Sequence, residues 1–310
     1  MTSVVIAAHN EASVIGRCLD ALLADAQPGE LDITVVPNGC TDTTASVASA
    51  RPVRVVEIDR ASKPAALNAG DDVAVGFPRL YLDADMVVSA ADVRALVYRL
   101  SVGGQQVGGG AQVGLAAAPR RELDLTGRPW PVRAYFTISR RLPAFDHALF
   151  GRGAITLSDQ ARQRFDRFPD MVADDLFLDS LFSDQEKVVV DAVVTTVATP
   201  YTTRDLVRRL TRVRRGNAAM RRAGDGRQLD VHVRSADRLS WLRDVVLRDP
   251  RLAPAGAVYA VITLAAALLA RRSPEDDTTW QRDESTRAEP SPPEPSPPTV
   301  SQRSRTRPVR

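Results

Sequence analysis

Lysine is nearly missing: Lys63 and Lys187 stand against 39 arginines in 310 residues. So lopsided a ratio looks like a base-composition bias, which weakens any argument resting on one arginine and draws attention to either lysine. Cysteine is also scarce. Cys18 and Cys40 are too few for a disulfide framework and lack metal-ligand spacing, so a reducing compartment is expected. No basic stretch precedes the apolar run in MTSVVIAAHNEAS, which makes it a poor secretory signal. No internal repeat is visible. No Gly-x-Gly-x-x-Gly joins a strand to a helix and no Gly-x-x-x-x-Gly-Lys occurs, which disfavours a dinucleotide fold and excludes a P-loop. The remaining composition, 44% hydrophobic and 25% charged with a net charge of +3, is that of a soluble globular chain.

Strand and helix periods alternate through the first hundred residues. Val4–Ala8, Ile33–Val36, Val53–Ile58 and Arg79–Leu82 read as short apolar strands. Between them Ser13–Ala24, Thr41–Ala50 and Pro64–Val75 carry helical spacing. Such alternation indicates parallel βαβ units, hence an α/β sheet covered on both faces. Beyond Asp85 the pattern loosens: a Gly-rich loop at 103–110, a strand at 112–117 and a helix at 130–141 are expected. Two further helices are expected at 203–222 and 236–247, the second with a stripe of Leu239, Leu242, Val245 and Val246.

Residues 252–270 contain no charge and are bracketed by Arg251 and Arg271–Arg272. As a helix they would extend about 28 Å, close to a bilayer core of about 30 Å. Eight of these nineteen residues are alanine, however, and Pro254 and Gly256 lie near one end. Three readings stay open: a spanning helix, a helix packed on the protein or at a bilayer surface, and a core helix. The tail from Ser273 to Arg310 has eight prolines in 38 residues and almost no aliphatic side chains, so it is expected to be disordered. The organisation expected is a catalytic domain over 1–225, a helical extension over 226–272 and the tail over 273–310.

The most informative string is TyrLeuAspAlaAspMet at 81–86, where an apolar strand runs into Asp83 and Asp85. Two carboxylates one residue apart at a strand end can present oxygens to one hard divalent cation, which then holds phosphate oxygens as well. AlaAlaHisAsnGluAla at 7–12 and ValProAsnGlyCysThrAsp at 36–42 close the first two strands, where open α/β sheets bind ligands. SerLysProAlaAlaLeuAsnAlaGly at 62–70 sets a lysine at a helix start, a point charge suited to phosphate.

Together these strings resemble the family 2 glycosyltransferases of the GT-A fold. The first strand and its loop, the second strand and its turn, the third helix and the Asp-x-Asp follow the family's order over residues 4–86. GlyArgGlyAlaIle at 151–155 resembles its acceptor-side glycine loop, and AlaAspAspLeu at 173–176 its catalytic-base motif. The resemblance implies a GT-A fold with a mainly parallel sheet. It also implies a nucleotide-diphospho-sugar donor, an acceptor hydroxyl, a Mg2+ or Mn2+ ion, and one inverting displacement. Carried over by position, Ala8, Glu11 and Asn38 line the nucleoside pocket, and Lys63 and Asn68 flank the phosphates. Asp83 serves the ribose and sugar, Asp85 the metal, and Asp175 the proton of the acceptor hydroxyl.

Pro37-Asn38 stands where the family usually has Asp-Asp, so base recognition loses a carboxylate. Of Asp174 and Asp175 one alone can be the base, since adjacent helical positions do not share a face. Arg209 and Arg212 stand where the family closes a basic motif over the diphosphate, here without its tryptophan. The arginine-dense stretch 203–217 has no aromatic interleaving, so nucleic acid is not expected as a partner. Peripheral contact with an anionic membrane, at the inner face of the cell membrane of a cytoplasmic protein, is expected instead. The alternatives are a silent nucleotide- or sugar-binding module and a sugar nucleotidyltransferase. The latter needs a Gly-rich basic loop that AlaAlaHisAsnGlu is not.

Overall fold

The structure, a computed structural model, describes residues 1–102, 114–170, 173–224 and 239–272. The expected Gly-rich loop, the tail, and parts of the expected strand at 112–117 and helix at 236–247 lie outside those residues. β1 (Thr2–Ala8), α1 (Ile15–Leu23), β2 (Leu31–Pro37), α2 (Thr44–Ser49), β3 (Arg54–Val55), α3 (Lys63–Val73) and β4 (Arg79–Leu82) alternate as the periodicity predicts. The third strand is shorter than expected. Its ladder stops at Val55, although Ile58 rejoins through a bridge to Asn38.

After β4 come α4 (Ala90–Val102), β5 (Ala116–Asp124), α5 (Trp130–Ser139), β6 (Ala154–Leu157) and α6 (Asp159–Arg162). They are followed by α7 (Asp174–Ser180), β7 (Lys187–Ala198), α8 (Thr203–Gly224) and α9 (Ala253–Arg272). The sequence reading assigned no element to β6 or β7. Seven strands form one sheet in the order β3-β2-β1-β4-β6-β5-β7. All neighbours run parallel except β6, which opposes both β4 and β5.

β1 sits inside the sheet with all seven residues buried, the near-continuous apolar strand that helices on both faces require. Its side chains alternate between two cores. Val5 and Ala7 join Val36, Leu67, Tyr81, Phe168 and Phe177 on one face. Val4, Ile6 and Ala8 join Ile15, Leu19, Leu22 and Val35 on the other. Gly70 lets α3 lie against the sheet, since a Cβ there would come within 2.4 Å of the Val5 side chain.

α9 packs on the α/β domain rather than standing apart. Tyr259 stacks on Tyr135 of α5 with ring centroids 4.9 Å apart, and Ile262 joins Val132 and Leu206 in one cluster. In place of an α-helix over 236–247, Trp241–Val246 forms a π-helical turn whose Val245 and Val246 are buried, while Leu239 is exposed.

The turn into β7 carries a pH-dependent contact. Arg164 pairs with Glu186, which also accepts the Ser183 N–H at 2.9 Å and the Ser183 hydroxyl at 3.0 Å. The Arg164 bond, ahead of the Ser183 bonds, pulls the Glu186 carboxyl down to about 2. A lowered folded-state pKa contributes stability above the ordinary glutamate range that is lost as pH falls towards 2. The melting temperature of Glu186→Gln should therefore trail wild type at pH 7 and approach it near pH 2.5. A gap independent of pH would assign the contribution to packing instead.

Candidate active site

The carboxyl ends of β1, β2 and β4 and the start of α3 meet at one edge of the sheet, and loops tie them together. Asn10, at φ 55°, accepts the Thr41 N–H on its side-chain oxygen at 2.8 Å. The Glu11 N–H donates to the Thr44 hydroxyl at 2.7 Å. Glu11 is buried at this edge, and the Ala8 carbonyl accepts the Asn38 N–H at 2.9 Å.

Asn38 bonds to backbone through both ends of its side chain. It is fully buried, and its amide donates to the carbonyls of Ala8 at 2.9 Å and Val36 at 3.3 Å. Its side-chain oxygen accepts the Ser62 N–H at 3.2 Å. Both ends of the amide join β1, β2 and α3. Asn68 is engaged likewise. Its amide donates to the Phe168 carbonyl at 3.0 Å and its oxygen accepts the Phe168 N–H at 2.8 Å, a two-bond clamp on the segment after α6.

α3 starts where Ser62 caps it, accepting the Ala65 N–H at 3.3 Å. That start aims Lys63 into a cluster of carboxylates rather than towards open solvent. Its Nζ lies 2.7 Å from Asp83 Oδ1 and 2.9 Å from Asp174 Oδ2. Burial opposes the ammonium charge, but Asp174, Asp83 and Asp175 outweigh it and hold the lysine pKa well above its ordinary value. Lys63 thus joins the Asp-x-Asp to the start of α7. Lys187 is more deeply buried, 3.0 Å from Asp179 Oδ1. Both lysines of the chain are held by aspartates, Lys187 buried and Lys63 partly exposed.

Asp83 is fixed by its own N–H, which donates to the Gly153 carbonyl on β6's approach at 2.8 Å. Gly153 has φ 74°, and a Cβ there would lie 2.4 Å from the Met86 sulfur. Only glycine lets this loop close against the Asp-x-Asp turn. Burial first, and then the neighbouring Asp83, pushes the Asp85 carboxyl up to about 6, while Lys63 and Arg209 pull the other way. The structure therefore brings Arg209, far along the chain on α8, to the Asp-x-Asp. Arg209 also donates to the Ala198 carbonyl at 3.3 Å, and Arg212 is half-buried one turn further on.

Asp174 and Asp175 open α7 and face the same cavity as Lys63, Asp83 and Gly153. Burial pushes the Asp174 carboxyl up to about 6 against the pull of Lys63. Asp175 instead turns to the glycine loop, where its Oδ2 accepts the Gly151 N–H at 2.9 Å. Sequence reasoning missed Arg121 of β5, whose guanidinium lies 4.6 Å above the Phe145 ring beside that same loop.

Among the described residues no group of three or more His, Cys, Asp or Glu could hold a metal ion unaided. Asp83 and Asp85 nevertheless offer the hard oxygens that Mg2+ and Mn2+ take. A buried carboxylate whose charge is disfavoured gains from a nearby cation. The residues fit an ion whose shell is completed by oxygens of the ligand.

Residues 3–154 match the model of glycosyl transferase family 2. No curated protein matches the sequence. Among solved structures, the mannosyltransferase PcManGT from Pyrobaculum calidifontis, in complex with GDP-Man and Mn2+, is 20% identical. That match covers 88% of this chain and 76% of that one with a TM-score of 0.54, and it shows the fold. TarS 1-349 from S. aureus, in complex with UDP-GlcNAc, is 14% identical over 64% of this chain, with a TM-score of 0.46. This chain spans 58% of that TarS chain. Glucosyl-3-phosphoglycerate synthase from Mycobacterium tuberculosis, in complex with Mn2+, UDP-Glc and phosphoglyceric acid, is 21% identical. Its match covers 52% of this chain and 57% of that one, with a TM-score of 0.37. Through the domain spanning residues 3–154, which holds the Asp-x-Asp and the strand order around it, the chain belongs to glycosyltransferase family 2 and has the GT-A fold.

Proposed function

We propose that the protein moves a sugar from a nucleotide-diphospho-sugar to an acceptor hydroxyl with inversion, dependent on Mg2+ or Mn2+. The observation that carries this reading is the convergence of Asp83, the first residue of the Asp-x-Asp, and the Asp174-Asp175 pair on one cavity, joined through Lys63. A silent binding module has no need to gather a second carboxylate pair beside the Asp-x-Asp.

In this reading the loops after β1 and β2, with Ala8 and Glu11, receive the nucleoside. Asp83 lies towards the ribose and sugar, and Asp85 holds the ion. A bound divalent ion would neutralise charge growing on the departing diphosphate, and Arg209 and Arg212 would meet that charge from α8. Asp175 accepts the proton of the acceptor hydroxyl as its oxygen bonds to the anomeric carbon and the carbon–diphosphate bond breaks. Asp174 is committed to Lys63 and leaves the base role to its neighbour. Calorimetry of the full chain with UDP, GDP and dTDP, with and without Mn2+, tests donor binding. The anomeric configuration of the product, read by NMR, tests inversion. No heat with any nucleotide, or a retained anomer, would overturn the reading.

The domain boundaries keep their proposed form, a catalytic domain to about residue 225 and a helical extension to 272. α9 is long and apolar enough to cross a membrane by length and composition. Yet Tyr259 and Ile262 hold one face to the catalytic domain, while Val261, Leu264, Leu268 and Leu269 are exposed on the other. A helix gripped along one face suits an in-plane position at a cytoplasmic membrane surface, with Arg271 and Arg272 at its end towards anionic headgroups. The protein should then sediment with membranes and be released by high salt or carbonate. Resistance to both washes would identify a spanning helix.

A further inference from the structure

β5 carries an irregularity beside the cavity. Pro119 pairs with Val190 of β7 but Arg120 pairs with Val194, so the ladder shifts between them. Such a break re-aims the side chains that follow it. Arg120 turns outwards to Glu122 at 2.9 Å. Arg121 turns inwards, over the Phe145 ring and against the glycine loop, where a Cβ on Gly151 would lie 3.2 Å from its Nη1. The break also leaves the Pro119 carbonyl to Arg152, which donates to it at 2.9 Å.

Arg152 is buried, and its guanidinium is satisfied by the carbonyls of Pro119, Phe145 and Ala148. Arg121 has no such partners: among the described residues it makes no hydrogen bond and no ion pair, only the ring contact. Burial lowers its pKa to about 10, and the nearby charges of Arg152 and Arg209 add to the effect. A largely desolvated guanidinium repelled by two others is costly unless an anion meets it. Its place is defined by Gly151, whose N–H is bonded to Asp175. It therefore lies on the base's side of the cavity.

We infer that Arg121 anchors an anionic group, a phosphate monoester or its lipid-borne equivalent, on the acceptor. The inference rests on the acceptor-side reading of Asp175 and the glycine loop. An acidic acceptor would bring its own countercharge, and a guanidinium fork reads phosphate oxygens in fixed geometry. Its hydroxyl would then be held beside Asp175 by a contact that takes no part in the chemistry.

The probes are glycerol phosphate in solution and phosphatidate vesicles, with glycerol and phosphatidylcholine vesicles as uncharged or zwitterionic controls. Each is titrated into the full chain with and without UDP or GDP and Mn2+. Wild type should bind at least one phosphate probe over its control. Arg121→Gln should weaken that binding about tenfold or more, and Arg121→Lys should restore part of it. Thermal melts of both variants check that the fold is kept. Whichever probe responds identifies a soluble or a lipid-borne phosphate. Phosphate binding that is absent from wild type, or equal in Arg121→Gln, overturns the inference. So does a variant that loses nucleotide affinity by the same factor, because Arg121 would then read the donor. Failure of every nucleotide to bind wild type refutes the donor reading alone, since the titrations without nucleotide still decide the role of Arg121.

Discussion

Asp175→Asn should lower turnover by about 10²–10⁴-fold, the usual contribution of general-base catalysis, with donor affinity and melting temperature nearly unchanged. The amide keeps the shape of the carboxylate and can still accept the Gly151 N–H, so the glycine loop stays in place while the proton acceptor is lost. Asp174→Asn should behave differently. Asp174 is a partner of Lys63 at 2.9 Å, and neutralising it leaves the ammonium paired with Asp83, with Asp175 acting from further off. Breaking a buried pair from one side is destabilising by several kcal/mol, with ~3–5 for a fully buried pair and less here, where solvent reaches the edge of the cluster. The expected signature of Asp174→Asn is thus a lower melting temperature, and of Asp175→Asn a lower kcat. Steady-state kinetics and thermal melts on both variants separate the two. A kcat effect confined to Asp174 would move the base by one residue. Full turnover in both variants would remove α7 from the chemistry.

Asp85→Ala should abolish Mn2+-dependent nucleotide binding and, with it, turnover. Only two protein carboxylates stand at the end of β4, and one of them, Asp83, shares its oxygen with Lys63 at 2.7 Å. Removing Asp85 leaves a single carboxylate already neutralised by an ammonium, too little to hold an ion that takes about six oxygens. The fold should tolerate the change, since the ionised Asp85 is disfavoured by burial and by Asp83. Calorimetry with nucleotide at increasing Mn2+ reads the effect directly. Unchanged Mn2+ dependence in the variant would sink the assignment of Asp85.

The first four strands were legible because β1, β2 and β4 are apolar runs and the intervening segments keep helical spacing. A local period reports a local element. KVVVDAVVTTVA is rich in β-branched residues, but its place as β7 beside β5 is set by pairing with a strand about 70 residues earlier. The π-helical turn at Trp241–Val246 replaced the expected α-helix, an outcome that an apolar stripe does not distinguish. At the site, Asp83, Asp85, Asp174 and Asp175 stand out by motif; Asp83, Asp174 and Asp175 line one cavity, and Asp85 lies one residue beyond Asp83. The backbone bonds of Asn38 and Asn68 were not legible, because an amide near a ligand loop reads the same whatever its partners. Arg121 gave no signal among 39 arginines.

The sequence by itself determined the βαβ order, the carboxylates at strand and helix ends, and the family to which the domain belongs. These follow from side-chain period and short motifs, which need only neighbouring residues. The tertiary structure decided the pairings between distant segments. It set Lys63 between Asp83 and Asp174, brought Arg209 from α8 to Asp85, buried both ends of the Asn38 amide, and turned Arg121 inwards at a break in the β5–β7 ladder. Each of these depends on which strand lies beside which and on how much water is excluded there. Those are properties of the assembled sheet, and no stretch of the chain encodes them locally.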